Sequence, residues 1–210
     1  MKIEKIYKGI RACINYFKYS FIVDASKFGC FEENAKILPP FDAARPELIF
    51  LRKNSYIDRN SLFLLLEGAI FEMKENAECA PGLVVINNQH NSRVGQWMRD
   101  SEKDKYNSYG NVIVEEEASL GANVTLLAGV TIGRGAQVGA GSVCRNSCPP
   151  YSIVMGNPAK VVGFRFTPDE ILEHEKNLYP KEMRLAEDVL YDNFEKYYFN
   201  RRNEILNILS

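Results

Sequence analysis

Residues 114–166 read VEEEASLGANVTLLAGVTIGRGAQVGAGSVCRNSCPPYSIVMGNPAKVVGFRF. Set out in sixes, the stretch puts Val114, Leu120, Leu126, Ile132 and Val138 in one column. Glu117, Asn123, Gly129, Gly135 and Gly141 fall in the fourth position, and Ala118, Val124, Val130, Ala136 and Ser142 in the fifth. A fixed short period belongs to stacked repeats, in which one unit cannot bury its own apolar face but a column of units can. The same period runs upstream from Leu51, with Leu51, Ile57, Met73 and Cys79 in the first position and Asn54, Asn60, Asn76 and Gly82 in the fourth. All but one of these fourth-position residues are Gly or Asn, which best tolerate a left-handed backbone; Glu117 is the exception. Each hexad therefore predicts a short strand and a corner, with the first residue inward and the fourth making the bend. Three hexads close one triangular turn, and successive turns pair strand on strand about 4.8 Å apart.

The register slips across Leu64 to Glu72, and a longer break from Asn87 to Asn111 is polar, aperiodic and holds the only Trp. A break of that length predicts a loop on one face of the array, where function concentrates. Ile37-Leu38-Pro39-Pro40 interrupts any regular element before the array, and Cys148-Pro149-Pro150 predicts its end. Ile3, Ile6, Tyr7, Ile10, Cys13, Ile14 and Phe17 form the stripe of an amphipathic helix with a basic polar face. Such a stripe is expected to pack on its own protein or on a partner subunit. Thr167-Pro168-Asp169-Glu170 is a helix start: Thr as N-cap, Pro at N1 and Glu closing a capping box. That helix should stop near Tyr179-Pro180, with another from about Lys181. The predicted organisation is an N-terminal helix (1–20), a mainly β repeat domain (21–166) with its loop at 87–111, and a C-terminal helical extension (167–210).

Composition removes several function classes. The 210 residues carry 26 Lys and Arg against 27 Asp and Glu, so no basic surplus is available to neutralise a nucleic-acid backbone. No apolar run reaches the ~20 residues of a membrane-spanning helix. Scattered Lys and Arg interrupt residues 1–20, unlike the apolar segment of a secretory signal, and a cytoplasmic setting is expected. The five cysteines fit no common zinc or redox spacing and read as reduced thiols. Two histidines, His90 and His174, fall short of the three imidazoles that a zinc site of the β-helix carbonic anhydrase kind would need. His174, among Glu173, Glu175 and Lys176, reads as a surface histidine.

The sextets resemble those of the hexapeptide-repeat acyltransferases, whose fold is a left-handed parallel β-helix. LGANVTLLAGVTIGRGAQVGAGSV (120–143) followed by PPYSIVMGNPAKVV (149–162) is similar, more narrowly, to the galactoside, maltose and xenobiotic O-acetyltransferase group. The resemblance spans about half the chain, from Leu51 to Val162. It implies acetyl-CoA as acyl donor with no metal, a carbohydrate acceptor, and a homotrimer with active sites between subunits. His90, at the junction of array and loop, matches the family's general base. Asn60 matches an asparagine beside the acceptor, although its corner position would also explain it. Ala122 and Ala140 match the small residues that leave room for the pantetheine arm, and Lys160 matches a partner of the adenosine phosphates. The family's Thr-Lys pair is Arg145-Asn146 here, and a following Arg is Gly163, so Arg145 and Arg165 are candidates for the missing charge. An N-acetyltransferase acting on an amino sugar or xenobiotic, and a non-catalytic β-helix scaffold, are the alternatives.

Overall fold

Three parallel sheets run along the molecule, and each turn of the chain contributes one short strand to each. Face A holds Cys30–Phe31, Ile49–Leu51, Phe71–Met73, Val112–Val114 and Thr131–Ile132. Face B holds Lys36–Ile37, Tyr56–Ile57, Glu78–Cys79, Ser119–Leu120 and Gln137–Val138, and face C holds Phe41–Ala43, Ser61–Leu64, Val84–Ile86, Thr125–Leu126 and Val143–Cys144. The result is a mainly parallel β solenoid of about five turns with helices at its C-terminal end. This computed structural model describes residues 23–90, 92–97 and 108–209, together with Ile6, Tyr7, Gly9, Ile10, Cys13 and Ile14.

The hexad rule is met residue by residue. Every first-position side chain from Leu51 to Val138 is 0–3 % exposed, and the fifth-position residues are buried beside them. All nine fourth-position residues are left-handed, with φ between 57° and 86°. A polar residue is tolerated in the fifth position where its hydroxyl turns back onto the corner: Ser55 Oγ donates to the Arg52 carbonyl (2.7 Å) and Ser61 Oγ to that of Asp58 (2.9 Å).

Strand stacking extends beyond the periodic hexads at both ends. A full turn precedes Leu51, because Lys36 pairs with Tyr56 and Phe41 with Ser61. Asn34 makes its first corner (φ 59°), but Pro39-Pro40 stands at its second corner, where the hexad pattern is broken. Nor does Cys148-Pro149-Pro150 end the stack. Cys148 bridges to Ile132, and Ser152–Gly156 runs parallel to Gln137–Val138 before Ala159–Phe164 folds back antiparallel. The corner between them is made by Tyr151, left-handed at φ 58° and fully buried. Its ring occupies the space that a Cβ on Gly135 would need, 2.5 Å away, so that position must be glycine.

Three helices close this end. Helix α1 (Pro168–Leu178) has the expected capping box and Pro at N1, with Tyr179 as C-cap. The helix expected from about Lys181 begins later. Lys181–Met183 forms a single 3-10 turn, and α2 spans Glu187–Tyr197, followed by α3 at Arg202–Leu209. The delay has a local cause: the Arg184 guanidinium bonds the Tyr179 and Lys176 carbonyls, so residues 181–184 tuck against the end of α1. Ile171 and Leu190 bury with Tyr151, and Tyr197 packs against the solenoid core. No helix among the described residues is long and apolar enough to cross a membrane.

The six described residues of the amino-terminal segment are helical, as expected, but Ile6, Tyr7, Ile10 and Ile14 are 55–66 % exposed. The expected packing on the chain's own body is not found for them. Phe21, where extended structure was expected to begin, lies outside the described residues.

Candidate active site

Partners in adjacent turns show where chain has been added. Ser119 and Gln137 are 18 residues apart, the spacing of three hexads, whereas Lys36 to Tyr56 is 20, Tyr56 to Glu78 is 22 and Glu78 to Ser119 is 41. Every extra residue enters at the edge where face C passes to face A, in segments 44–48, 65–70 and 87–111. The long loop therefore emerges beside two shorter insertions, and its base is a two-stranded antiparallel ribbon of Asn88–Gln89 and Ser108–Tyr109.

His90 follows that ribbon as an exposed residue, and it has no hydrogen-bond partner among the described residues. Asn87, three residues earlier, is fully buried. Its Nδ2 donates to the carbonyls of Leu66 (2.9 Å) and Ala69 (2.8 Å), while its Oδ1 accepts from Leu66 N–H (2.9 Å). One side chain thus replaces the sheet hydrogen bonds that the 65–70 insertion interrupts and pins the start of the loop. Sequence reasoning missed Asn87, which lies in an aperiodic stretch. Its only signal is an asparagine next to an apolar strand.

Asn60, Ala122 and Ala140 gather on a different edge, where face B passes to face C. Asn60 is a left-handed corner (φ 63°), exposed on the second turn. Ala122 and Ala140 stack in the last two turns, joined by Gly141 N–H to Ala122 O (2.8 Å), and a Cβ on Gly121 would lie 2.6 Å from Ala140 N. Gly121, Ala122, Gly139, Ala140 and Gly141 leave backbone and methyl groups on this edge, with Asn123 as the larger side chain beside them, a shape that suits a narrow chain. Face C separates it from His90 within one protomer.

The cationic candidates are scattered. Arg145 is exposed on the C-to-A edge, above the loop. Lys160 lies on the strand after the Gly156 turn, 3.5 Å from Glu204 of α3. Arg201 first, and Lys160 after it, hold that carboxyl down to about 2. Arg165 is a correction: it sits at the third edge, between faces A and B, where its guanidinium bonds Glu117 (3.0 Å) and the Gly135 carbonyl (2.9 Å). Its charge is spent inside that network and is not brought to Lys160.

His174 is a second correction. It is not a solvated surface histidine, because Nε2 lies 3.0 Å from Glu117 and the ring packs edge-on against Tyr151 and tilted on Phe166. Around it the A-to-B edge forms a continuous network. Arg134 bridges Glu116 (3.2 Å) and the fully buried Glu175 (3.0 Å), stacks on the Tyr179 ring (4.2 Å) and donates to Met183 O (2.8 Å). Tyr151 donates to Glu175 (2.7 Å); burial first, and that carboxylate second, push its phenol far above the ordinary tyrosine range. These charges are satisfied within the fold and tie α1 to the solenoid. No group of three His, Cys, Asp or Glu side chains that could hold a metal occurs among the described residues.

Comparison with known proteins agrees with this architecture. Residues 111–146 match the model of the bacterial transferase hexapeptide (six repeats). A dTDP-3-amino-3,6-dideoxy-alpha-D-galactopyranose 3-N-acetyltransferase from Aneurinibacillus thermoaerophilus is 47 % identical over 57 residues, 27 % of this chain and 30 % of its own length. The chain spans about a third of the length of the first curated relatives it matches. Among solved structures, a hexapeptide-repeat acetyltransferase from Vibrio cholerae O1 biovar eltor, complexed with acetyl-CoA, superposes with a TM-score of 0.61 at 21 % identity, covering 70 % of this chain and 81 % of that one. A galactoside acetyltransferase in complex with coenzyme A gives 0.61 at 18 % identity, covering 84 % and 87 %. Repeat, register and superposition together give this chain the hexapeptide-repeat solenoid that those acetyltransferases share.

Proposed function

We propose that the chain is an acetyl-CoA-dependent O-acetyltransferase that acetylates a hydroxyl of a sugar or glycoconjugate, with His90 as general base. The observation that carries this reading is the placement of His90, an exposed and uncommitted imidazole at the mouth of the loop, while the other histidine is locked onto Glu117. The two compared structures hold acetyl-CoA or coenzyme A, and sugars recur in the names of the galactoside acetyltransferase and the 3-N-acetyltransferase, which supports the donor and the acceptor class.

In this mechanism the acceptor oxygen attacks the acetyl carbonyl while its proton passes to the imidazole. The carbon–sulfur bond then breaks, and the imidazolium returns the proton to the leaving thiolate. Imidazole suits both transfers near neutral pH, accepting as the neutral ring and donating as the imidazolium. The pantetheine arm would lie along the bare edge at Ala122 and Ala140, with Lys160 and Arg145 toward the phosphates and Asn60 beside the acceptor. Because His90 and the Ala122–Ala140 edge lie on opposite sides of face C, one groove can use both only if a neighbouring copy supplies the second edge. A homotrimer provides that arrangement, and sedimentation as a monomer at working concentration would remove it.

His90→Ala should lower kcat about 10²–10⁴-fold. A loss under tenfold removes His90 from the chemistry. Lys160→Ala and Arg145→Ala should raise KM for acetyl-CoA; if both leave it unchanged, the phosphates bind elsewhere. The 3-N-acetyltransferase relative makes an amino-sugar acceptor the alternative, and a screen of neutral sugars against amino sugars and nucleotide sugars separates the two. Calorimetry with coenzyme A tests the scaffold reading, since a scaffold would show no binding.

A further inference from the structure

Tyr109 is the aromatic side chain on the loop's ribbon. It pairs with Asn88 across the two strands, which places the two side chains on one face. His90 follows Asn88 by two residues, the spacing that returns an extended chain to the same side. The Tyr109 ring rests against Gly68 of the neighbouring insertion, where an added Cβ would come within 3.2–3.3 Å of ring carbons, and Gly68 is left-handed at φ 110°. Even so, Tyr109 remains 42 % exposed.

The seat is built rather than incidental. Asn87 grips Leu66 and Ala69, which flank Gly68, and its own carbonyl accepts from the N–H of Gly110, next to Tyr109 (3.0 Å). A single buried residue therefore fixes the glycine beneath the ring and the strand that carries it. Asn88 spends its amide on the Leu64 carbonyl (3.2 Å) and Asn87 Oδ1 (3.3 Å), and no donor among the described residues reaches its own Oδ1. An open aromatic ring beside an unclaimed carbonyl oxygen suits a ligand with an apolar face and hydroxyls at its rim. A pyranose ring has that form.

We infer that Tyr109 is the platform on which the acceptor's pyranose ring stacks, with Asn88 Oδ1 accepting a ring hydroxyl and Asn87 as the positioning residue that holds the platform beside His90. This rests on the acetyltransferase reading above but can fail separately from it. The test uses the full chain with maltose and methyl β-galactopyranoside as probes, followed by saturation-transfer NMR and by acetyl transfer from acetyl-CoA. Tyr109→Ala should abolish saturation transfer to the probe and raise its KM about tenfold, with KM for acetyl-CoA unchanged, while Tyr109→Phe keeps the wild-type values. Absence of saturation transfer in the wild-type protein overturns the platform. So does an unchanged acceptor KM in Tyr109→Ala, or dissociation of its oligomer, which would make the ring a subunit contact. Saturation transfer that depends on Tyr109, without any acetyl transfer, sustains the platform and overturns the proposed activity instead.

Discussion

Two edges of the same prism obey opposite rules. Between faces A and B, four residues join the strands in every one of the five turns. Between faces C and A, the connections swell to 44–48, 65–70 and 87–111 before returning to 127–130. The difference lies in what each corner must bond. On the A-to-B edge each left-handed residue donates to the turn before it: Asn54 to Glu33 O, Asn76 to Lys53 O, Glu117 to Glu75 O, Gly135 to Glu116 O and Tyr151 to Arg134 O, at 2.7–3.1 Å. Over that ladder lies the network that anchors α1. An insertion there would orphan buried donors and pull charges apart, which is costly. Among the described residues the C-to-A edge carries no such unbroken ladder, and Asn87 supplies the bonds for residues 66–69 from a side chain. One edge is built for cohesion, and the other is left open for recognition.

Breaking the comparison directly should give the largest effect. A Gly-Ser insertion after Gly133 displaces Arg134 from Glu116 and Glu175 and should cost at least the ~3–5 kcal/mol of a broken buried pair in urea denaturation. The same insertion after Ala128, on the C-to-A edge of the same turn, should cost about 1 kcal/mol or less, the scale of a slightly longer loop. Equal losses would mean that the edges do not differ. Next comes Glu175→Ala, which leaves Arg134 and the Tyr151 hydroxyl without their buried acceptor; ~3–5 kcal/mol is expected, with any activity per folded molecule retained. His90→Ala should show the converse, a loss of turnover with an unmoved denaturation midpoint.

How far the sequence carried this picture depended on the edge. Corner residues and inward columns were legible because they answer to local rules: only Gly or Asn sits easily at positive φ, and only apolar or small residues fit inward. The helix start at Thr167 was legible for the same reason. Tyr151 was not, since a tyrosine at φ 58° is permitted only by long-range contacts with Glu175, Phe166 and His174. His174 itself was misread because its charged neighbours in sequence suggested solvent, while its partner Glu117 lies 57 residues away. At the candidate site, His90 stood out by position and family resemblance, but Asn87, Gly68 and Tyr109 belong to two insertions whose meeting no periodicity could announce.

A smaller effect should appear with pH. Burial pushes the Cys79 and Cys144 thiols up to about 12 from an ordinary 9.0. A folded-state value above the unfolded one stabilises the protein fully below about pH 9, and the contribution is lost as pH rises toward 12. The denaturation midpoint should therefore fall over that window, and Cys79→Ala with Cys144→Ala should lower the neutral-pH stability but flatten the fall. A slope unchanged by both substitutions would assign it to the other raised groups, the buried Cys148 thiol and the buried Tyr151 and half-buried Tyr179 phenols.

The finest discrimination concerns Glu117, the one fourth-position residue that is neither Gly nor Asn. At φ 61° it carries backbone strain on the order of 1–2 kcal/mol that glycine would relieve. Against that, its carboxylate meets Arg165 at 3.0 Å and His174 at 3.0 Å, all three side chains only 20–25 % exposed. Charged hydrogen bonds of this kind contribute about 1.5–3 kcal/mol each before any allowance for solvent, and partial exposure trims them. Glu117→Gly should thus lose roughly 1 kcal/mol net, a small difference between opposed terms. The sign alone is decisive, and a double-mutant cycle with His174→Ala isolates the pairing. If Glu117→Gly stabilises the fold and the cycle shows no coupling, the A-to-B edge is held by its backbone ladder and the buried Glu175 cluster alone. If coupling near 1 kcal/mol appears, the exception to the hexad rule is explained: a side chain kept in a strained corner because the helix it ties down closes the end of the solenoid.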